Sequence, residues 1–514
     1  MKKITLLLCC LLVNLALAVD PEIEQLKQEL EALKELYVSK IGEVETRLAA
    51  IEQREQTMTQ KVDSVHQTVS TVQQDMQEVR SLPDGAFVSG FDPNRFSFYG
   101  YMRAGFGVDD DGTTQERFQA PGTGAAYRLG NEADTYIETG FSYFHVDEDR
   151  DSDSPVFGTH FMVAYNTLEK NTETESNTAL RQACVTAKNV ISGQPDATLW
   201  GGQRYYRRHD VHMNDFYWLD MSGYGGGIED YDLGFAKGSL AWIGGTTDDF
   251  TGTDQIIPDD LETTDKNNFD VRLNDIELGI GRGNLWLNYA HYKFDDGNNS
   301  NGSEDGFAIG FWLENQLGEN GTNTVIIQYG TGVAANFNSF SPFTQGLGNV
   351  SIEDPLNSDK TIVSPDYDPG EQSRLRIMDV IDYTFTDKLS MQAVAIYQED
   401  DLGLDDDSDI TWYSVGIRPV YDFTELYGIA FEAGYDYSEL QDGTDGSLVK
   451  FTIAPQITPD IGFFSRPAIR LFFTYATWSD DYSYNSSDGT GIGGSSYEGD
   501  TSGISYGVQV ESWW

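Results

Sequence analysis

Two histidines and two aspartates lie close together in the chain, and side chains of these types can bind metals or transfer protons. They are His209, Asp210, His212 and Asp215. Their spacing matches no standard metal site, so a hydrogen-bonded loop is the better interpretation, and we expect no metal and no cofactor. The chain has only 6 His and no recognisable spacing of a nucleophile beside a base, which disfavours an enzyme such as a hydrolase.

Aromatic and charged residues alternate with apolar ones at both ends of the C-terminal part. Near residue 100, Tyr101 and Arg103 share one face of a predicted strand, opposite an apolar face. In the last strand, Glu511 and Trp513 share the polar face in the same way. The same period of two recurs over 411–423, 428–437 and 463–478.

Acidic connections rich in Gly, Ser and Asn separate these strands, for example 147–154, 295–306 and 400–409. Strands of about ten residues with one apolar and one polar face, joined by long polar loops, are typical of an outer-membrane barrel. A soluble β-sandwich is the alternative that alternation alone leaves open. At about 23 residues per strand and connection, the segment 96–514 has room for about 18 strands around an aqueous lumen. We therefore predict an all-β transmembrane barrel of about 18 antiparallel strands.

The composition excludes other classes of protein. The 514 residues contain 33 Lys+Arg and 83 Asp+Glu, a formal net charge of −50, so nucleic acid is not an expected partner. No apolar run of about 20 residues follows residue 18, which excludes a helical membrane protein. Much of the acidity falls in the loops. There we expect a solvated acidic rim that divalent cations bridge to lipopolysaccharide, and that favours cations over anions.

The N-terminus predicts export. Residues 1–18 combine Lys2 and Lys3 with a short apolar core and a small-x-small end, as in a signal peptide. Two of the 3 Cys fall within this signal, so the mature chain keeps only Cys184 and cannot form an intramolecular disulfide.

Residues 19–82 predict a helical coiled coil. Apolar residues recur at alternating steps of three and four from Ile23 to Val79, which is heptad spacing. One such helix cannot bury its apolar stripe alone, so the segment implies self-association in two or three strands. A lone amphipathic helix on a membrane surface is the weaker alternative, because the segment is not basic. Residues 83–95, with Pro83 and Gly85, form a linker to the barrel.

Several motifs along the barrel segment carry a resemblance to a known family. They are residues 127–132 leading to 135–138, 208–213 leading to 215–217, 415–419, 465–470, and 507–509 with the terminal 513–514. Together they resemble the maltoporin family of trimeric, 18-stranded, sugar-selective porins of the Gram-negative outer membrane. The coiled coil ahead of the barrel is similar to the periplasmic extension of the related sucrose porin. The resemblance implies a homotrimer with its stalk in the periplasm, where the stalk could also reach peptidoglycan.

The resemblance also implies site residues. Sugars have apolar C–H faces and a rim of hydroxyls, so aromatic rings can guide them while charged groups exchange hydrogen bonds. The implied aromatic slide consists of Tyr101, Tyr136, Phe464 and Trp513, with Phe311 as a further member. Tyr217, in an inward-folded third loop, sets the constriction. The implied polar track consists of Arg103, Arg128, Arg181, Arg208, Glu138 and Asp215.

Two departures from the family bear on the substrate. The family has a Trp in its second loop and a disulfide near the entrance, whereas this chain has Glu173 and Ala133 at the corresponding positions. The expected function is passive diffusion of maltodextrins or related oligosaccharides across the outer membrane. The alternatives are a sucrose-type or general porin, and a structural tether from the barrel to the cell wall.

Overall fold

The structure, a computed structural model, describes residues 95–132, 134–145, 154–167, 176–247, 263–295, 301–339, 370–403, 409–485 and 491–514. The predicted signal peptide, the coiled coil and all of the linker except Arg95 lie outside the described residues, as do Glu173 and Ala133. No helix among the described residues is long and apolar enough to span a membrane.

The described residues form twenty strands, which follow one another in chain order. The first ten are β1 (Phe96–Asp109), β2 (Tyr136–His145), β3 (Val156–Thr167), β4 (Ser176–Lys188), β5 (Thr198–Arg204), β6 (His209–Val211), β7 (Phe216–Leu219), β8 (Gly223–Asp232), β9 (Lys237–Thr247) and β10 (Thr263–Glu277). The others are β11 (Arg282–Asp295), β12 (Asn301–Gln316), β13 (Gly321–Gly332), β14 (Ser373–Thr386), β15 (Leu389–Asp401), β16 (Asp409–Asp422), β17 (Tyr427–Glu439), β18 (Asp445–Ile457), β19 (Ala468–Trp478) and β20 (Ser502–Trp513).

All strands except β6 and β7 belong to one 18-stranded sheet. The sheet closes into a barrel because β1 pairs antiparallel with both β2 and β20. The predicted barrel of about 18 antiparallel strands is thus confirmed. Strands β6 and β7 form a separate two-stranded hairpin within the connection between β5 and β8.

The two faces of the barrel differ as the alternation predicts. Phe98 and Phe106 of β1 are exposed on the outer face, where a membrane barrel meets lipid. In β20, Gln509 and Glu511 are buried on the inner face, whereas Val508 is exposed. The period of two therefore separates an apolar outside from a polar inside around the sheet.

The connections are short at one end of the barrel and long at the other. β14 and β15 are joined by residues 387–388 and β16 and β17 by 423–426, whereas residues 110–135 follow β1 and residues 333–372 follow β13. In barrels of this kind the short turns are periplasmic and the long loops extracellular.

Among the described residues, three loops fold into the lumen, where they form part of the protein's buried core. We call them loop A (residues 110–132), loop B (residues 205–222) and loop C (residues 333–339). Tyr127 of loop A, Met213 of loop B and Phe337 of loop C are at most 2% exposed and belong to one buried cluster. The loops also contact one another, since the amide of Arg128 donates to the carbonyl of Met213 and the amide of Asp220 to that of Phe337.

Buried cations of the barrel wall hold these loops in place. Each donates a hydrogen bond to a loop carbonyl: Lys450 to Leu129, Arg418 to Met213, Arg376 to Trp218, Arg272 to Arg207, Arg374 to Asn336 and Lys266 to Asn338. The donors satisfy carbonyl oxygens of the loop backbones. The loops are therefore fastened by charge-assisted bonds as well as by apolar packing.

Glycines in the wall make room for loop A. Gly416 of β16 and Gly434 of β17 lie opposite each other, and a Cβ on either would overlap the ring of Tyr127. The Tyr127 hydroxyl is within 2.8 Å of the Ser414 hydroxyl. Two of the motifs that carry the family resemblance, 127–132 and 415–419, are thus in direct contact.

Candidate functional site in the channel lumen

Four of the predicted residues meet where β1 and β2 pair. Tyr101 lies opposite Glu138 and Arg103 opposite Tyr136, all on the inner face. The rings of Tyr101 and Tyr136 are 6.3 Å apart, and the Arg103 guanidinium lies 5.3 Å from the Tyr136 ring. The hydroxyls of Tyr136 and Tyr205 each donate to the same oxygen of Glu138 at 2.6 Å. This patch therefore combines half-buried aromatic rings with charged groups that are already hydrogen bonded.

Next to this patch lies a buried charge group, the Glu511 cluster, formed by Arg128, Glu132, Arg466, Arg470 and Glu511. Glu511 pairs with Arg466 at 2.7 Å, Arg470 at 3.1 Å and Arg128 at 3.2 Å. Arg128 also pairs with Glu132 at 2.7 Å. The sequence interpretation placed Glu511 on the lumen face but did not identify it as a site residue. The signal was its position two residues before Trp513 on that face.

Tyr101 is tied to this cluster. Its hydroxyl donates to Glu511 at 3.2 Å and accepts a hydrogen bond from Arg128. The predicted slide residue Tyr101 and the predicted track residue Arg128 are therefore in direct contact.

His212 of loop B joins the Glu511 cluster to the aromatic residues. Its ring is 5.3 Å from that of Trp513 and 5.9 Å from that of Phe464, and one ring nitrogen lies 2.9 Å from Arg466. Burial lowers the pKa of His212 to about 3, although Glu511 acts in the opposite direction. The imidazole is therefore neutral and contributes a ring rather than a charge.

The hairpin of loop B positions three predicted residues. Arg208 lies between two rings, 3.4 Å from that of Tyr205 and 4.7 Å from that of Tyr217. Asp215 follows in the left-handed conformation, with φ 51°, and accepts a hydrogen bond from Arg103 at 3.2 Å.

The charge of Asp215 is stabilised by its neighbours. Burial acts to raise the pKa of this carboxyl, but the charges of Arg128 and Arg103 outweigh it and hold the pKa below its ordinary value. Asp215 is therefore an anion that helps to fix the hairpin against β1.

Arg181 belongs to strand β4, beside β3. The pairing of β3 with β4 shifts register between Met162 and Val163, which leaves Arg181 as the extra residue of a β-bulge. Its Nε is buried and makes no hydrogen bond to the residues that the structure describes.

One predicted residue is on the wrong face. On β12, Phe307 and Ile309 are exposed on the outer face while Ala308 and Trp312 are buried on the inner face. Phe311 shares the parity of the outer set, so the prediction that it joins a slide in the lumen is wrong. A shift of one residue along a strand reverses the face, and the lumen position belongs to Trp312.

Trp312 completes an aromatic group that the sequence interpretation missed. The His209 ring lies 4.7 Å from that of Trp218 and 5.0 Å from that of Trp312, and the two Trp rings are 5.4 Å apart. Burial lowers the pKa of His209 to about 3. This histidine is thus a neutral ring in an aromatic stack.

The two sets of aromatic residues border one cavity of about 470 Å³ inside the barrel, which we call the lumen cavity. Small-molecule sites typically measure about 300–1,000 Å³. Its lining includes Arg208, Phe464 and Trp513, as well as Trp218, Trp312, His209, His212, Asp210, Glu314 and Asp382. In the described part of the chain, no three His, Cys, Asp or Glu side chains are placed so that they could hold a metal ion.

A closed antiparallel barrel with an apolar outside, and with loops folded into a polar lumen, defines the class of outer-membrane diffusion channels. The family model described as LamB porin matches residues 96–514. The chain therefore belongs to the LamB porin family, and it is a maltoporin-type porin for passive diffusion across the Gram-negative outer membrane.

The barrel is also similar to solved structures. The outer membrane channel DcaP of Acinetobacter baumannii is 11% identical with a TM-score of 0.44, covering 82% of this chain and 97% of that chain. OccAB1 of the same organism is 12% identical with a TM-score of 0.41, covering 83% and 98%. OmpT of Vibrio cholerae, in its trimer form, is 11% identical with a TM-score of 0.38, covering 82% and 99%.

Proposed function

We propose that the channel is selective for maltodextrins or related oligosaccharides, which diffuse along the aromatic side chains of the lumen. The slide consists of Tyr101, Tyr136, Phe464 and Trp513, with Trp312 in place of Phe311. Tyr217 sets the constriction together with loop A. The track of hydrogen-bonding groups comprises Arg103, Arg181, Arg208, Glu138 and Asp215, and the buried Arg128 supports it through its contacts with Tyr101 and Glu132.

One observation carries this proposal: aromatic rings and charged groups lie side by side along the inner wall. Tyr101 is next to Glu138 and Trp513 in the sheet, and Trp513 and Phe464 line the same cavity as Arg208. A ring packs against the C–H face of a sugar, and a neighbouring charged group bonds its hydroxyls. Because each contact is weak and repeated, a sugar can both enter and leave.

Planar-bilayer conductance tests the proposal. We expect an open-channel current that maltooligosaccharides block in a graded manner, more strongly as the oligosaccharide lengthens. If maltohexaose leaves the current unchanged while sucrose blocks it, the maltodextrin assignment fails and the sucrose-type porin replaces it. If neither sugar blocks the current, the channel is a general porin.

Assembly and the N-terminal segment are part of the same proposal. The family resemblance favours a homotrimer, and heptad spacing over 19–82 favours a periplasmic coiled coil that supports it. Mass measurement of the detergent-solubilised protein with and without residues 19–82 tests both points. Absence of channel conductance, together with binding of the exported chain to isolated peptidoglycan, would favour the structural tether instead.

A further inference from the structure

The cations of the lumen wall are used by the fold itself. Lys266, Arg272, Arg374, Arg376 and Arg418 are all at most 3% exposed, and each donates to a carbonyl of loop B or loop C. A solute in the lumen cannot reach these groups without displacing a loop. Their charges therefore neutralise the interior but provide few contacts for a solute.

The carboxylates of the lumen cavity are placed differently. Asp210, Glu314 and Asp382 all line the cavity, and Asp210 is exposed. Glu314 keeps 35% of its side chain exposed while pairing with Arg282 at 3.1 Å. Asp382 accepts a hydrogen bond from the neutral amide of Gln392 at 2.8 Å. These acceptors face the space that a solute occupies.

The lumen cavity contains little positive charge to balance these carboxylates. Of the described residues that line it, Arg208 is the one Lys or Arg, and its guanidinium is held between the rings of Tyr205 and Tyr217. His209 and His212 are neutral, because burial lowers the pKa of each to about 3.

We infer that the lumen cavity prefers oligosaccharides that carry protonated amino groups over neutral oligosaccharides of the same length. An ammonium group supplies three hydrogen-bond donors for carboxylates. The sugar ring uses the aromatic surfaces while its amino group uses Asp210 or Asp382. This inference rests on the proposed sugar selectivity and names the substrate class of the same site.

The experiment compares half-blocking concentrations in planar bilayers for three trimers: the glucosamine trimer, its fully N-acetylated form and maltotriose. The pH is kept slightly acidic so that the amines are protonated. We expect the glucosamine trimer to block at a concentration at least roughly fivefold lower than either neutral trimer, since one unit-charge contact is worth about that factor even in water. The preference should shrink as salt is raised.

Isosteric substitutions test which carboxylates bind the amino groups of the sugar. Asp210→Asn and Asp382→Asn should each reduce the ratio of glucosamine-trimer blockade to maltotriose blockade by roughly threefold to fivefold. Glu425→Gln is the matched control, because it removes one carboxylate from an exposed turn at the end of the barrel where Asp382 lies. It should leave the preference as in the wild type.

Three results overturn the inference. They are equal blockade by all three trimers, a preference that both Asn variants retain in full, and equally strong blockade by spermidine, which carries amines without sugar rings. Equal blockade by the trimers leaves the proposed sugar channel intact. A conducting channel that no sugar blocks overturns the proposed function itself.

Discussion

The Glu511 cluster and the lumen cavity are neighbours inside one barrel, yet they use charged residues in opposite ways. In the cluster, Glu511 at 3% exposure contacts three arginines. In the cavity, Asp210 is exposed and Asp382 has a neutral partner. A saturated buried group has nothing left to exchange with a solute, whereas the cavity carboxylates do. The cluster therefore maintains the shape of the channel, and we propose that selectivity resides in the cavity.

If the Glu511 cluster maintains the shape of the channel, removal of the Glu511 carboxylate should strongly destabilise the barrel. Glu511→Ala leaves Arg128, Arg466 and Arg470 buried without their shared carboxylate, and we expect a loss of about 3–5 kcal/mol in the free energy of unfolding. Urea unfolding of the barrel in lipid or detergent, followed by Trp fluorescence, measures it. Glu314→Gln in the cavity is the control and should cost less than about 1 kcal/mol. Similar losses of unfolding free energy in the Glu511 and Glu314 variants would contradict the different roles of the cluster and the cavity.

The docking of loop A gives a second test. Gly434→Ala places a methyl group into the ring of Tyr127, and overpacking of this kind costs about 1–3 kcal/mol. At Gly245 an added Cβ meets nothing within 4 Å, so Gly245→Ala is a matched control. We expect the Gly434 variant alone to unfold at lower urea and to conduct more ions, because a displaced loop widens the lumen. An unchanged conductance would mean that loop A does not constrict the path.

The neutral histidines predict a pH dependence. The folded pKa of His212 lies near 3, below the ordinary value of about 6.5. The unfolded chain therefore binds protons that the folded chain does not, and the associated stability is present above about pH 6.5 and is lost as the pH falls toward 3. The slope is about 1.4 kcal/mol per pH unit for each such histidine. In His212→Gln the slope should become shallower; an unaltered slope would contradict a buried neutral imidazole.

The smallest effect concerns the sugar path. Trp513→Ala removes a ring from the cavity, and we expect sugar blockade to weaken by roughly threefold to tenfold, while the open-channel current stays nearly the same. Trp242→Ala is the matched control, because Trp242 is 58% exposed on the outer face and should not affect blockade. Tyr101→Ala should weaken blockade as well, but with a loss of stability, since its hydroxyl bonds Glu511. If sugars block both the Trp513 and the Tyr101 variant as strongly as the wild type, the proposed aromatic slide is wrong.

The sequence predicts which face of the sheet a side chain occupies wherever apolar and polar residues alternate. Tyr101, Arg103, Glu511 and Trp513 lie on the inner face as predicted, because a β-strand turns successive side chains to opposite sides. Phe311 was assigned by resemblance, and there the prediction failed by one residue. The sequence around Phe311 was sufficient to correct its assignment. Phe307 and Ile309 are an even number of residues from Phe311 and therefore share its face, whereas Trp312 shares the opposite face with Glu314.

The inward loops were less predictable. No local pattern in residues 110–132 indicates that Tyr127 packs against Gly416 and Gly434, some 300 residues later. The motif 127–132 was recognised from the family resemblance, but its burial and partners depend on the closure of the sheet. The Glu511 cluster was missed for the same reason, since its members come from loop A, the connection before β19, and two strands.

The sequence by itself predicted a barrel of about 18 strands and, wherever the alternation was read directly, the side chains that face the lumen, because these follow from a period of two and from chain length. Only the tertiary structure decided which lumen charges are available to a solute. Lys450 and Arg418 lie on the inner face of the barrel, but loops A and B bury them and accept their hydrogen bonds. Availability depends on contacts between residues that are far apart in the chain, and those contacts exist only once the barrel has closed around its loops.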